Sequence, residues 1–307
     1  MGLRPLKING KTVDFPIIQG GMGIRISLSK LANACINSGI IATISAAQVG
    51  FLNKNFRKDP LGENKIELKK EIEKIREVNP NGILGVNLMH AINHFDEYAR
   101  FLATQDIDFI VSGAGLPLDL PEYIKDSKVK GAFIVSSARA AKILLRSWDR
   151  RYNYMPEFVV CEGPLAGGHL GFSKEDMESG NVMSLEDIVE ETKEIVKVYE
   201  EKYGITIPII AGGGVHDGKD MAKMLNVGAD GVQISTRFIA SHECDASLEY
   251  KMMIVNSKES DIVRVSSPAG LPGRAIKNFL TEKLKKENLK VNYCVDCLKT
   301  CKKVGIP

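Results

Sequence analysis

Residues 207–236 read IPIIAGGGVHDGKDMAKMLNVGADGVQIST. An apolar run ends in three glycines, Gly212 to Gly214, and Asp217 then opens a segment with Met221, Met224 and Leu225 at helical spacing. Gly228 closes that segment, and a second apolar run ends in Ser235 and Thr236. Strand, glycine turn, helix, strand: this is one complete βαβ unit. The runs are continuously apolar rather than alternating, which is how strands buried on both faces of a parallel sheet read.

Outward from this stretch the same unit recurs. Apolar runs stand at 16–20 (PIIQG), 40–45 (IIATIS), 83–88 (ILGVNL), 107–113 (IDFIVSG), 131–137 (GAFIVSS) and 157–163 (EFVVCEG), which with the opening pair makes eight. Between them lie helical segments with proper ends. SLEDIVEETKEIVKVYEEKYG (184–204) starts with a Ser184/Asp187 capping box, repeats Ile188, Thr192, Ile195, Val196 and Tyr199 on one face, and stops at Gly204. Eight alternations predict an α/β chain folded as a TIM (β/α)8 barrel; an open doubly wound sheet is the alternative, but eight evenly spaced units close naturally.

The expected organisation is a barrel over 1–240 and a small lid subdomain inserted after strand eight over 241–275. A closing helix over 276–293 and a cysteine-rich tail over 294–307 follow. The lid contains a helix-like LEYKMMIVNS (248–257) and a stretch read as a loop, VSSPAGLPGRAI (265–276).

Composition narrows the class. Hydrophobic residues at 44% and charged residues at 26% of 307 suffice for a large core. The net charge of +3 is dispersed, with lysines alternating with glutamates on solvated helix faces, which argues against a nucleic-acid partner. No run approaches the roughly 18 apolar residues of a membrane span, and the first residues lack a signal-peptide core, so the expectation is a cytoplasmic chain with no membrane partner. Cys35, Cys161 and Cys244 sit where a small buried hydrophobe would serve.

In such barrels chemistry sits at the C-terminal ends of the strands. Gly20, Gly21 and Gly23 follow run one, Asn87 ends run three, and Gly113 and Gly115 follow run four. Gly167, Gly168 and His169 follow run six. Gly212, Gly213 and Gly214 follow run seven, and Ser235 and Thr236 end run eight. A tight turn or an N-cap explains either of the last two clusters alone. At consecutive βα units, each leading into a helix, they read together as a phosphate site built from backbone N–H groups and a positive helix end.

A phosphate at one rim and permissive backbone around the barrel mouth leave room for a flat ligand, which suits flavin mononucleotide (FMN). Met22 would lie against its ring system, or pack the rim as an ordinary methionine, and Asn87 and Gln233 would offer donors and acceptors to a ring edge or else satisfy barrel backbone. His169, set among strand-end glycines, reads as the catalytic proton donor or acceptor. His90 and His94 read as the start of a helix.

The segments PIIQGGMG (16–23), GVNLM (85–89), GPLAGGHLG (163–171), PIIAGGGVHDGKDMAKMLNVGADGVQISTRF (208–238) and GLPGRAIKN (270–278) resemble, in content and order, the motifs of the nitronate monooxygenase family. That family was formerly called the 2-nitropropane dioxygenases and also holds flavin-dependent enoyl-acyl carrier protein reductases. The resemblance implies that Gly21, Met22, Asn87, Gly168, Gly213, Gly214, Gln233, Ser235 and Thr236 contact FMN and that His169 is the catalytic histidine.

Two departures stand out. Pro164 and Leu165 replace the acidic residue and alanine that family members commonly carry before the glycine pair, which bears on the substrate. Cys294, Cys297 and Cys301 form CxxCxxxC, a spacing suited to zinc or an iron–sulfur cluster with a fourth ligand from elsewhere; a redox pair or an inert tail are the alternatives. The basic, aromatic LRSWDRRYNYMP (145–156) precedes a strand and so belongs to the far face, for packing or a subunit contact as in a homodimer.

The expected activity is an FMN-dependent oxidoreductase of nitronate monooxygenase type, converting a small alkyl nitronate and O2 to a carbonyl compound and nitrite. The alternative is an enoyl-thioester reductase drawing on NAD(P)H. A third reading is a flavin redox sensor without turnover.

Overall fold

The computed structural model describes residues 3–266, 272–286 and 294–299. The chain opens with a hairpin, β1 (Leu6–Ile8) and β2 (Lys11–Val13), turned through Asn9 and Gly10 at φ 49° and 78°. Asn-Gly with both residues at positive φ is the type I′ turn whose twist matches the flanking strands. The signal stands in the sequence as the Asn-Gly pair of LKINGKTV (6–13), between two short apolar stretches.

Eight of the next nine strands make the barrel: β3 (Ile17–Gln19), β4 (Ala42–Ser45), β5 (Leu84–Asn87), β6 (Phe109–Ser112), β7 (Lys130–Val135), β8 (Val159–Glu162), β10 (Ile209–Gly212) and β11 (Gly231–Ile234). All pair in parallel, in the order β3-β11-β10-β8-β7-β6-β5-β4. The ring closes between β3 and β4, where Gln19 N–H donates to Ile41 O at 2.8 Å and Ile41 N–H donates to Ile17 O at 3.0 Å. The fold is the (β/α)8 barrel, and each strand lies within its expected run except β7, which begins one residue earlier at Lys130.

Side chains alternate across a strand, so every second residue faces the barrel interior. The lower interior is apolar: Ile18, Ile41, Phe109, Val111, Phe158, Val160 and Ile210 are buried in one cluster, with Phe109 edge-on to Phe158 at 5.0 Å. Leu6 and Ile8 from the hairpin enter the same cluster and plug the lower end. Burying each contributes about 2 kcal/mol. Two residues further along most of these strands the inward positions become polar or small, as at Thr43 and Ser45, Asn87, Glu162, Gly212 and Gln233, while β7 keeps Ile134. That change divides the interior into a packed floor and a polar ceiling.

The outer helices bury the faces read from sequence. In Leu185–Tyr203, Ser184 Oγ accepts from Asp187 N–H at 3.1 Å, Gly204 caps the end at φ 62°, and Ile188, Val189, Thr192 and Val196 are buried. Trp148, in the basic aromatic stretch, is fully buried in helix Ala138–Tyr152 against Phe133 at 5.2 Å, with Nε1 donating to Pro117 O at 2.9 Å. Its role is core packing.

Beyond the barrel, helix Leu248–Asn256 is followed by a hairpin of β12 (Ile262–Ser266) and β13 (Pro272–Ile276). The described ends of the stretch expected to be a loop are therefore strands. β13 also pairs with β9 (Gly168–His169), giving a three-stranded antiparallel sheet with Gly273 opposite His169 and Arg274 opposite Gly168. These pairs join residues more than 100 positions apart, and periodicity within one short segment carries no such information. Helix Phe279–Lys286 comes next, and residues 294–299 lie against the loop after β5.

Candidate active site

A cavity of about 1070 Å³ opens over the C-terminal ends of the barrel strands. Gly21 and Met22 reach it from β3, Asn87 from β5, and Gln233, Ser235 and Thr236 from β11. Gly213 and Gly214 bring the turn after β10, and Gly168 and His169 bring β9. Gly212 is buried in β10 one residue below the rim and does not line it. The expected site residues are thus brought together from five segments, with Gly212 as support.

Gly213 and Gly214 take φ 79° and 135°, conformations L side chains rarely adopt. A Cβ on Gly213 would lie 2.8 Å from Gly163 O and 2.9 Å from Ala166 Cβ. Among the described residues the N–H groups of this glycine pair have no acceptor, and the hydroxyls of Ser235 and Thr236 share their rim. Free N–H groups beside hydroxyls fit a phosphoryl group.

The helix after β10 contributes less than expected. At the start of Gly218–Val227 the Asp217 carboxylate already accepts from Lys219 N–H at 2.8 Å and Asp220 N–H at 3.0 Å, and these bonds hold its carboxyl below the usual range. Two N–H groups of that helix end are taken by its own cap, which leaves the glycine turn better suited to an anion than the helix end.

On the opposite wall Gly21 packs tightly: a Cβ there would lie 2.6 Å from Asn87 Cβ and 3.2 Å from Thr43 Cγ2. Thr43 Oγ1 is buried nearby without a hydrogen-bond partner. Met22 is held by Ser27, whose Oγ accepts its N–H at 2.8 Å. The wall is suited to a flat, polar-edged ring, and together with the anion seat it fits FMN.

His169 is half-buried and faces the cavity, its backbone clamped by the pairing of β9 with β13 and by Leu170 N–H donating to Pro272 O at 2.8 Å. Burial lowers its pKa from the ordinary 6.5, so the ring is neutral at pH 7 and available as a base. Glu162, at the end of β8, also lines the cavity. Burial alone pushes its carboxyl up to about 7. Sequence reading passed over it, although it stands two residues after the inward Val160 and its position on the strand foretold the direction it faces.

His90 lies in the turn between β5 and the helix Phe95–Leu102 rather than at the helix start, 3.6 Å from Asp119 and edge-on to Phe95 at 4.9 Å, and does not line the cavity. His94 is the N-cap of Phe95–Leu102, as its reading implied. Its ring lies 3.2 Å from Asp296 Oδ2, and Asn93 Nδ2 donates to Asp296 Oδ1 at 2.8 Å. Backbone bonds from Asn93 N–H to Cys297 O (3.2 Å) and from Lys299 N–H to Ala91 O (2.9 Å) complete the docking of the tail.

Cys297 and Leu298 thereby become part of the cavity wall, whereas Cys294 is exposed and outside it, and Cys301 lies outside the described residues. Among the described residues no group of three or more His, Cys, Asp or Glu is placed to hold a metal ion. Zinc or an iron–sulfur cluster at these cysteines gains no support. The segment instead forms wall, through pairing with a loop about 200 residues away.

A closed (β/α)8 barrel with a glycine-built anion seat and a neutral histidine at its mouth defines a cofactor-dependent enzyme of the α/β-barrel class. Residues 4–304 match the nitronate monooxygenase family, and the chain belongs to that family of FMN-dependent oxidoreductases. A probable nitronate monooxygenase from Staphylococcus aureus (strain JH9) is 25% identical over 309 residues, covering 89% of this chain and 78% of that relative. The structure of FabK from Thermotoga maritima superposes with a TM-score of 0.69 at 25% identity, covering 88% of this chain and 74% of FabK. Nitroalkane oxidase from Streptomyces ansochromogenes shares the fold, with a TM-score of 0.69 at 19% identity over 89% of this chain and 80% of the oxidase. No helix among the described residues is long and apolar enough to cross a membrane.

Proposed function

We propose that this chain is an FMN-dependent nitronate monooxygenase, oxidising a small alkyl nitronate with O2 to a carbonyl compound and nitrite. The observation that carries the reading is the meeting, in one cavity, of the Gly213–Gly214 anion seat and a buried, neutral His169 on a barrel of this family. Gly213, Gly214, Ser235 and Thr236 would hold the phosphate, and Gly21, Met22, Asn87 and Gln233 the ring system, with Gly168 at its edge. FMN supplies the redox chemistry when bound. His169 then accepts the proton of a neutral nitroalkane, or donates a hydrogen bond to substrate already ionised.

The cavity also has apolar side chains from the lid, among them Tyr250, Met253, Ile254, Ile262 and Ile276. Such a wall accommodates an apolar substrate body, and it is the observation that favours the second reading, an NAD(P)H-dependent enoyl-thioester reductase. Anaerobic mixing of the FMN-loaded protein with NADH, NADPH or ethyl nitronate separates the two. Bleaching of the flavin by nitronate but not by nicotinamides is expected; rapid bleaching by NADH or NADPH would replace the first reading with the second. Turnover with neither substrate type would leave the sensor reading.

A further inference from the structure

Among the inward positions of the polar ceiling, Glu162 is the ionisable one, and neither the phosphate seat nor the proposed base accounts for it. No hydrogen bond or cation among the described residues partners its carboxyl, and burial is the sole cause acting on it. Its flanking strands offer nothing charged: β7 brings Val135 and β10 brings Gly212, which is paired with it in register. Behind the turn that follows, Leu185 of the outer helix packs against Gly163.

The ionisable groups that share the cavity are His169, His216, Tyr250, Arg274 and Cys297. Arg274 is already committed, its guanidinium donating to the carbonyls of Leu165 and Ala166. A carboxylate half-buried on a cavity wall without a protein partner is disfavoured in its charged form, and a second negative charge entering the same cavity adds to that cost.

We propose that Glu162 sets the charge of the pocket, admitting an anionic O–N–O headgroup while its carboxyl holds a proton and repelling it once that proton is lost. The identity of the anion rests on the nitronate reading; the protonation of Glu162 does not. With the carboxyl pushed up to about 7 by burial, the change falls within the neutral range. A phosphoryl group in the seat across the rim acts in the same direction. Glutamine in this place would accept the anion at every pH, whereas glutamate makes binding depend on proton concentration.

The test uses the FMN-loaded protein with nitrite, a planar anion that keeps its charge from pH 6 to pH 8 and is followed through the flavin absorbance. If binding requires a protonated group titrating at about 7, the nitrite Kd rises about tenfold between pH 6 and pH 8. Glu162→Gln should bind nitrite with little change over that range, and Glu162→Asp should keep a pH dependence. The infrared spectrum of the wild-type protein should show a carboxylic-acid C=O band at pH 6 that fades by pH 8 and is missing from Glu162→Gln.

An equal rise of Kd in wild type and Glu162→Gln would assign the effect to His169 or His216 and overturn the proposal. So would the lack of the infrared band at pH 6, a reading that stands even if Glu162→Gln fails to hold FMN. Failure of nitrite to bind wild type at either pH also overturns it. If both signatures are present but nitronate is not turned over, the proposed activity fails and the role of Glu162 remains.

Discussion

Two carboxylates at opposite ends of the barrel show how differently its halves are built. Asp108, at the lower end, is held by Lys11 at 2.8 Å and Arg76 at 3.0 Å and accepts Leu84 N–H at 2.9 Å. Glu162, at the upper end, has none of these, and its carboxyl is left to burial. The lower charge is matched from every side and ties the plug hairpin, a helix and a strand together. The upper one is left unmatched in a cavity. The floor is packed and its charges are paired, and the ceiling keeps polar groups without protein partners that a ligand could engage.

Breaking the floor should have the largest effect. Asp108→Ala leaves Arg76 and Lys11 without their shared partner, and breaking such a buried pair costs about 3–5 kcal/mol. Denaturant unfolding of the variant measures this, and a loss below about 1 kcal/mol would erase the contrast between the two ends. Next is His169→Ala in the ceiling: flavin should remain bound while kcat/KM for a neutral nitroalkane falls about 10²–10⁴-fold, with preformed nitronate affected less. Because burial lowers the His169 pKa, its base form exists above that value. Wild-type kcat/KM for the neutral nitroalkane should therefore drop as pH falls through a point below 6.5, and a profile lacking that limb would remove histidine as the base.

Smaller changes sharpen the comparison. Gly213→Ala forces a Cβ into a positive-φ turn against Gly163 and Ala166, a strain of about 1–3 kcal/mol that should appear as lost stability of the apoprotein, and FMN affinity read by fluorescence titration should weaken as the turn shifts to relieve it. Gly10→Ala, in the I′ turn of the plug, should cost about 1 kcal/mol of stability with FMN affinity unchanged. Last, Glu162→Gln should raise stability, and by more at pH 8 than at pH 6, since a carboxyl pushed up to about 7 costs the folded state increasingly as it ionises. A marked destabilisation would mean that Glu162 has a structural partner after all.

The eight strands were legible because each is a continuous apolar run ending in glycine or a hydroxyl residue, and the helices because their caps are written locally, as at Ser184 and Gly204. The floor plug was equally legible in Asn9-Gly10. Ten of the eleven residues expected at the FMN and catalytic site line one cavity, since the barrel itself gathers strand ends. Three features could not be read that way. The Asp217 cap takes two N–H groups of a helix end that spacing alone offered to a phosphate. The hairpin of β12 and β13 finds its partner at Gly168 and His169, about 100 residues earlier. Cys297 and Leu298 become cavity wall only through a bridge to Ile92.

By itself the sequence determined whatever depends on neighbours along the chain: strand, turn and cap chemistry, and hence a barrel whose upper rim is rich in glycine. Tertiary structure alone decided which charges would be matched. Pairing a buried carboxylate requires groups distant in sequence to arrive within about 3 Å, as Lys11 and Arg76 do at Asp108 and as nothing among the described residues does at Glu162. Burial and pairing belong to the three-dimensional neighbourhood, and those two quantities set the protonation on which the chemistry of this site depends.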